Sequence, residues 1–336
     1  MTAPLPTEDL EHCLQHTAHL WESLRGERIF ITGATGFFGT WLLETLAFAN
    51  ERLALKTQAV FLTRDPAAWA AQKPHLAGRS ELVPVPGDVR SFAFPPGAFR
   101  SVVHAATTAA FAIDPRENFQ IIVDGTSRVL DFAEKAGARE FLLTSSGAVY
   151  GRQPAELTHV PESYLGGPDP ALPSSAYSEG KRATETLCAL ANRPGLETKI
   201  ARCFAFVGPH LPLDQHFAIG NFLRDALAGR PIRIQGDGTP YRSYLHAADL
   251  AVWLWTMLFR GAPGRAYNVG SDAAISIADL ARRIQPEGPI EIAQAPTGAA
   301  PARYVPDITR ARAELGLEVA IGLDDALRRT KAWLAA

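Results

Sequence analysis

Apolar residues along this chain follow two alternating patterns. Short, nearly continuous apolar runs at 29–32, 60–63, 82–85, 101–104, 141–144 and 199–201 have the length and make-up of strands buried on both faces. Segments of helical periodicity lie between them. Strands that alternate with helices need crossover connections, so the pattern predicts an α/β class fold: a Rossmann-type doubly wound parallel sheet whose ligands sit beyond the carboxyl ends of the strands. Past residue 208 the pattern loosens into proline- and glycine-rich connections, with helices expected near 219–228, 247–259, 277–283 and 323–334. Upstream, Leu10, Leu14, Trp21 and Leu24, with Thr17 between them, recur at helical spacing and predict one amphipathic helix from near Thr7. The expected organisation is an N-terminal helical extension over 1–26, a sheet domain over 27–208, and a smaller C-terminal lobe over 209–336 whose chain crosses back to the sheet.

Charge narrows the partner. With 33 basic against 35 acidic residues the net charge is −2, which supplies no field to gather nucleic acid or an anionic membrane. An anionic ligand must then be gripped by local groups, and the expected partner is a small molecule. The apolar stretch 250–259, bounded by Asp249 and Arg260, is half the length of about 20 residues that a membrane span needs, and reads as a buried helix. Cys13, Cys188 and Cys203 are too few and too scattered for a disulfide framework. Glu8, Asp9 and Glu11 do not suit a secretory leader, so a cytoplasmic enzyme is the expectation.

Two constellations carry chemistry. The run Gly33-Ala34-Thr35-Gly36-Phe37-Phe38-Gly39 follows the first strand and opens a helix. In that setting glycines permit a sharp turn and let backbone N–H groups approach a pyrophosphate at a helix N-terminus. Further on, Tyr177 and Lys181 are one helical turn apart on a helix expected to start near Ser174 or Ser175. A phenol with an ordinary pKa of about 10 transfers protons near neutrality only if its anion is stabilised, and a nearby ammonium and a helix N-terminus both act in that direction. Tyr177 is the expected acid/base.

These segments, with Gly87-Asp88-Val89, His104-Ala105-Ala106, Gly125-Thr126 and the serines before Val149-Tyr150-Gly151, closely resemble the extended short-chain dehydrogenases/reductases, the NAD(P)-dependent nucleotide-sugar epimerase/dehydratase family, from Arg28 almost to the end. The resemblance implies NAD or NADP as cofactor, held by Gly33, Thr35, Gly36, Phe37, Phe38 and Gly39, by Thr63 and Arg64 at the second strand's end, by Asp88 and Val89 at the adenine, by Ala105 and Ala106 along the groove, and by Tyr177 and Lys181. Arg64 stands where NAD-preferring relatives carry an acid, which tilts the reading towards NADP; Asp65 beside it is the alternative partner for the ribose or for Arg64 itself. Counting back from Val149-Tyr150-Gly151 aligns Ser146 with the family's catalytic serine or threonine, making Ser146, Tyr177 and Lys181 the expected catalytic set.

The resemblance extends to a nucleotide-diphosphate sugar as substrate, gripped by Asn221 and by Arg242 on phosphate with Arg303 assisting. Ser145 is a further candidate for the sugar, its alternative role being a turn cap. In dehydratase relatives Asp and Glu follow the catalytic Ser/Thr, and in UDP-glucuronate decarboxylases the second position is Glu; Gly147 and Ala148 stand here. Epimerisation through a transient ketone at C4, or ketoreduction, is therefore the leading expectation. A 4,6-dehydratase or decarboxylase is the alternative, because 161–164 and 177–182 resemble the decarboxylase branch and Glu162 or Glu179 are available as acids. A non-catalytic NADP sensor is a third reading, opposed by the retained Tyr177 and Lys181. Ala205 and Ile122 replace asparagines usual in the family. His210, Asp214 and His216 match no metal-ligand spacing, so no metal is expected. The resemblance also implies a homodimer through helices near 118–135 and 177–191.

Overall fold

The structure, a computed structural model, describes residues 3–107, 113–215 and 217–336. Seven parallel strands form its central sheet: β1 (Arg28–Thr32), β2 (Gln58–Thr63), β3 (Leu82–Pro86), β4 (Ser101–His104), β5 (Glu140–Ser146), β6 (Glu197–Cys203) and the late strand Ala266–Val269. From one edge the order is Ala266–Val269, β6, β5, β4, β1, β2, β3, so the direction of winding reverses between β1 and β4. The carboxyl ends of these two strands flank the crevice where a doubly wound sheet binds its ligand.

Strand alternation builds the two core layers. Ile29 and Ile31 of β1 face a layer shared with the second lobe, whereas Phe30 between them faces the other layer, with Phe92, Phe99 and Phe132 around it. Each such ring taken wholly out of water contributes on the order of 2–3 kcal/mol. The helix Ala247–Arg260, expected to be buried, presents Trp253, Trp255 and Met257 to the core with no solvent exposure above 1%. No helix among the described residues is long and apolar enough to cross a membrane.

At the N-terminus the expected single helix is divided. Helix α1 spans Thr7–Thr17, and Trp21–Leu24 is a separate 3-10 turn. The buried stripe is Asp9, Cys13 and Thr17, with Leu10 and Leu14 only partly covered. Periodicity pointed to the leucines because it cannot foresee that the groove accepting α1 is lined with charge: Arg329 donates to Asp9 at 2.6 Å, and His12 bonds Asp249 at 2.8 Å. Trp21 packs at a tilt against Trp255, ring centres 4.9 Å apart, so the extension closes over the helix Ala247–Arg260 of its own chain.

The core runs without interruption from the sheet into the second lobe, where Ile219, Phe222 and Leu280 join the layer that contains Leu46. In that lobe the short strands Ile275–Ser276, Tyr241–Arg242 and Arg303–Tyr304 form a three-stranded sheet. The proline-rich stretch 161–173 is an ordered loop pinned at its start by a bridge between Val160 and Pro306. Gly167 lies so close to Gly151 that a Cβ on Gly151 would come within 2.3 Å of the Gly167 carbonyl.

Candidate active site

The glycine loop joins β1 to helix α2 (Phe37–Leu53) and its glycines differ in purpose. Gly33 has φ +71°, and a Cβ there would lie 2.4 Å from the Ala105 carbonyl group, so this glycine lets the loop turn against the end of β4. A Cβ on Gly39 would strike Ala34 at 2.2 Å, so Gly39 seats α2 on the loop. Gly36 has an ordinary φ of −84°, and its missing Cβ would meet nothing closer than the Gly33 carbonyl at 3.4 Å. The fold itself makes no demand for glycine at that solvent-facing position, whereas an anion approaching the α2 N-terminus does. Thr35 is exposed beside it, and Phe37 and Phe38 are half-buried, Phe38 edge-on to Phe206 at 5.1 Å. These residues fit a dinucleotide pyrophosphate.

Further along the crevice, Ala105 and Ala106 continue from β4, and the Ala106 N–H donates to Thr32 Oγ1 at 3.2 Å. His104 fixes this corner. Thr126 gives its proton to the Ile122 carbonyl, so Nε2 of His104 donates to Thr126 and Nδ1 accepts from Thr32, at 3.0 and 2.7 Å. Burial pushes the imidazole down to about 3, keeping it neutral. Thr63 is buried, while Arg64 is exposed and its charge helps to lower the Asp88 carboxyl, after the larger effect of Arg90. Val89 packs on Gly125. Asp65 accepts from the Ala68 N–H at 2.9 Å and caps helix α3 (Pro66–Gln72), so its carboxylate serves the fold.

The candidate catalytic residues come together at the carboxyl end of β5. Tyr177 lies in the first turn of the helix Ala176–Ala191, preceded by the 3-10 turn Pro173–Ser175. The Ser146 hydroxyl accepts from the Ala148 N–H at 3.1 Å and lies within hydrogen-bonding reach of the Tyr177 phenol. Lys181 is almost wholly buried, its Nζ donating to the Thr144 carbonyl at 2.8 Å and lying 5.9 Å from the Tyr177 ring centre. One expectation changes here. The Tyr177 phenol stands above its ordinary value because desolvation outweighs the opposing hydrogen bond of Ser146, and the Lys181 ammonium is committed to Thr144. Burial lowers Lys181 itself to about 8. Ile122, in place of the family's asparagine, packs against Gly180 between these two residues.

Ser145 does not join this group. Strand alternation turns its hydroxyl to the opposite face, where it donates to Glu185 at 2.6 Å. Arg202 grips Glu185 there and also donates to Tyr150, which in turn donates to Asn268. In this structure Ser145 is held by Glu185, on the face away from Ser146 and Tyr177. The two candidate acids are also engaged: Glu162, its side chain 4% exposed, accepts from the Asn268 N–H and faces Arg310, and Glu179 pairs with Arg182 at 3.5 Å.

On the second lobe, Arg242 and Arg303 have no acidic partner among the described residues; Arg303 lies over the Tyr241 ring at 4.3 Å and Arg242 over Tyr304 at 5.8 Å. Asn221 is occupied within its own segment, donating to the Gln215 carbonyl and accepting from Arg224. His210 is held by Lys73, Glu44 and Trp333, and His216 lies outside the described residues. Sequence reasoning missed Tyr304, whose hydroxyl also lies within reach of Ser146. The available signal was Gly147: an empty position in a crowded site implies a side chain arriving from elsewhere.

Known proteins resemble this chain in sequence and in fold. UDP-glucuronic acid decarboxylase 6 of Arabidopsis thaliana is 31% identical over 309 residues, covering 89% of this chain and 86% of the relative. UDP-glucuronic acid decarboxylase 1 of Xenopus tropicalis is 28% identical over 316 residues, covering 90% and 71%. Among solved structures, an epimerase from Methanothermobacter thermautotrophicus shares the fold with TM-score 0.78 at 22% identity, covering 96% of both chains. The UDP-glucuronic acid 4-epimerase of Bacillus cereus, solved with UDP-glucuronic acid and NAD, superposes with TM-score 0.75 at 21% identity, covering 92% and 99%. The family model for NAD-dependent epimerases/dehydratases matches residues 29–270, and the chain belongs to that family.

Proposed function

We propose that this protein is a nucleotide-sugar epimerase or ketoreductase that works by hydride transfer at a sugar carbon, C4 by preference. The observation that carries the reading is the arrangement at the end of β5: Ser146 beside the Tyr177 phenol, with no carboxylate at 147 or 148 to drive an elimination. The cofactor we assign is NAD, on the loop Gly33–Gly39 whose open Gly36 suits a pyrophosphate. When bound it accepts a hydride from the sugar carbon and can return it. Tyr177 takes the proton of the reacting hydroxyl as the hydride leaves and gives it back on the return, while Ser146 holds the same oxygen. Because burial opposes the Tyr177 anion, the Lys181 ammonium, 5.9 Å from the Tyr177 ring centre, would offset the charge that develops on the phenolate. Arg242 and Arg303, lacking acidic partners, would take the diphosphate. Arg64, exposed after β2, would be the group to take a 2′-phosphate, so NADP is the second form to test. A homodimer would use the helices Pro115–Lys135 and Ala176–Ala191, where Phe119 and Leu190 are exposed.

Decarboxylation of UDP-glucuronic acid is the second reading, favoured by the decarboxylases at 31% identity. One experiment separates the two. Purified protein is incubated with NAD or NADP and with UDP-glucose, UDP-glucuronic acid and dTDP-, GDP- and CDP-sugars, then followed by mass and NMR. Unchanged mass with an inverted centre supports epimerisation, and gain of two hydrogens supports reduction. Loss of carbon dioxide or water overturns the first reading, and a lack of any product overturns both.

A further inference from the structure

Gly147 is glycine for a spatial reason. Its φ is not in the left-handed region, yet a Cβ there would come within 2.8 Å of the Tyr304 hydroxyl and of two ring carbons of Phe204. The space beside Ser146 that a side chain at 147 would use is taken by a phenol from the other lobe. Three contacts hold that phenol. Its ring packs on Phe204 at 4.7 Å, and its hydroxyl approaches the Cys203 carbonyl at 3.5 Å, in register with Ser146 across β5 and β6. Pairing of Arg303–Tyr304 with Tyr241–Arg242 sets it directly opposite Arg242, the side chain assigned to the diphosphate. Tyr304 therefore stands between the anion grip and the catalytic serine. Burial holds its phenol neutral, and ionisation of the neighbouring Tyr177 would push it further in that direction. A phenol that stays protonated beside Ser146 has a proton to donate to a bound oxygen.

We propose that Tyr304 is a substrate-contacting residue whose phenol, together with Ser146, donates a hydrogen bond to the oxygen on the reacting sugar carbon. The inference rests on the nucleotide-sugar reading above and adds a residue that orients the sugar rather than the nucleotide. Tyr304→Phe keeps the ring on Phe204 and removes only the hydroxyl. The expected result is a loss of roughly tenfold in kcat/KM for whichever nucleotide sugar the wild type converts, the equivalent of one hydrogen bond. The dissociation constants of UDP and NAD, measured by calorimetry, stay at wild-type values. Unchanged kcat/KM overturns the proposal, and so does an equal loss of UDP affinity, which would mean that Tyr304 acts by supporting Arg242. Gly147→Ala is the second variant: its methyl crowds the same hydroxyl as well as the Phe204 ring, so the part of its loss that comes from the hydroxyl should disappear in the Tyr304→Phe background, and strictly additive losses overturn the proposal. Failure of the underlying reading shows earlier and separately, as a wild type that converts none of the sugars.

Discussion

Ser145 and Ser146 are the same side chain one residue apart on β5, yet pleating sends them to environments of opposite character. On the Ser145 face a carboxylate, a guanidinium, a phenol and an amide satisfy one another: Ser145 and Arg202 donate to Glu185, Arg202 to Tyr150, Tyr150 to Asn268, and Asn268 to the Val160 and Asp307 carbonyls. On the Ser146 face neutral hydroxyls of Ser146, Tyr177 and Tyr304 converge without a carboxylate partner among the described residues, and desolvation holds both phenols above their ordinary values. The closed network fixes the ends of β5 and β6, and the open one is left with hydrogen-bonding capacity for a ligand. A site that must change protonation state keeps its groups unsaturated, and the structure behind it is saturated instead.

The largest effect that would sharpen this contrast is Tyr177→Phe. Losing the proposed proton carrier should cost roughly 10²–10⁴ in kcat without moving the thermal midpoint, and near-normal turnover would break the contrast at once. On the other face, Arg202→Leu leaves Glu185 partly buried with Ser145 as its remaining donor and removes the donor to Tyr150. A stability loss of about 3 kcal/mol in urea is expected, at the lower end for a broken ion pair because the Arg202 and Glu185 side chains keep 17% and 12% exposure. A normal urea midpoint would show that the network is incidental.

Acid stability tests the same principle in the interior. Folding lowers His104 and His246 from 6.5 to about 3, chiefly by burial. Below pH 6.5 the unfolded imidazoles take up protons that the folded ones refuse, so stability should fall as pH drops through the window from 6.5 towards 3. The slope is up to about 1.4 kcal/mol per pH unit for each histidine, read from urea midpoints. A flat profile would place both rings in contact with solvent. The smallest effect belongs to Ser145→Ala: about 1 kcal/mol of stability, since Glu185 keeps Arg202, with kcat/KM unchanged. A large fall in kcat/KM would return Ser145 to the substrate.

Much of this molecule was legible in its sequence. Apolar runs of strand length, a glycine loop between strand and helix, and Tyr177 one turn before Lys181 are local patterns, and the backbone realises them where the chain order puts them. Local pattern also explains the failures. Periodicity chose Leu10 and Leu14 for α1, whereas the side chains that α1 buries were decided by Arg329, hundreds of residues away in the chain. The serine run marked the end of β5 without showing which hydroxyl faces which layer, because a shift of one residue inverts a strand.

The sequence by itself determined the doubly wound sheet, the position of the dinucleotide loop and the tyrosine–lysine pair, since each depends on spacing within one or two elements. Only the tertiary structure decided that Tyr304 fills the room left by Gly147, that Asp65 caps a helix, and that Glu162 faces Arg310. Those outcomes depend on which distant segments meet, and hence on the packing of whole layers, a quantity that no short stretch of chain encodes.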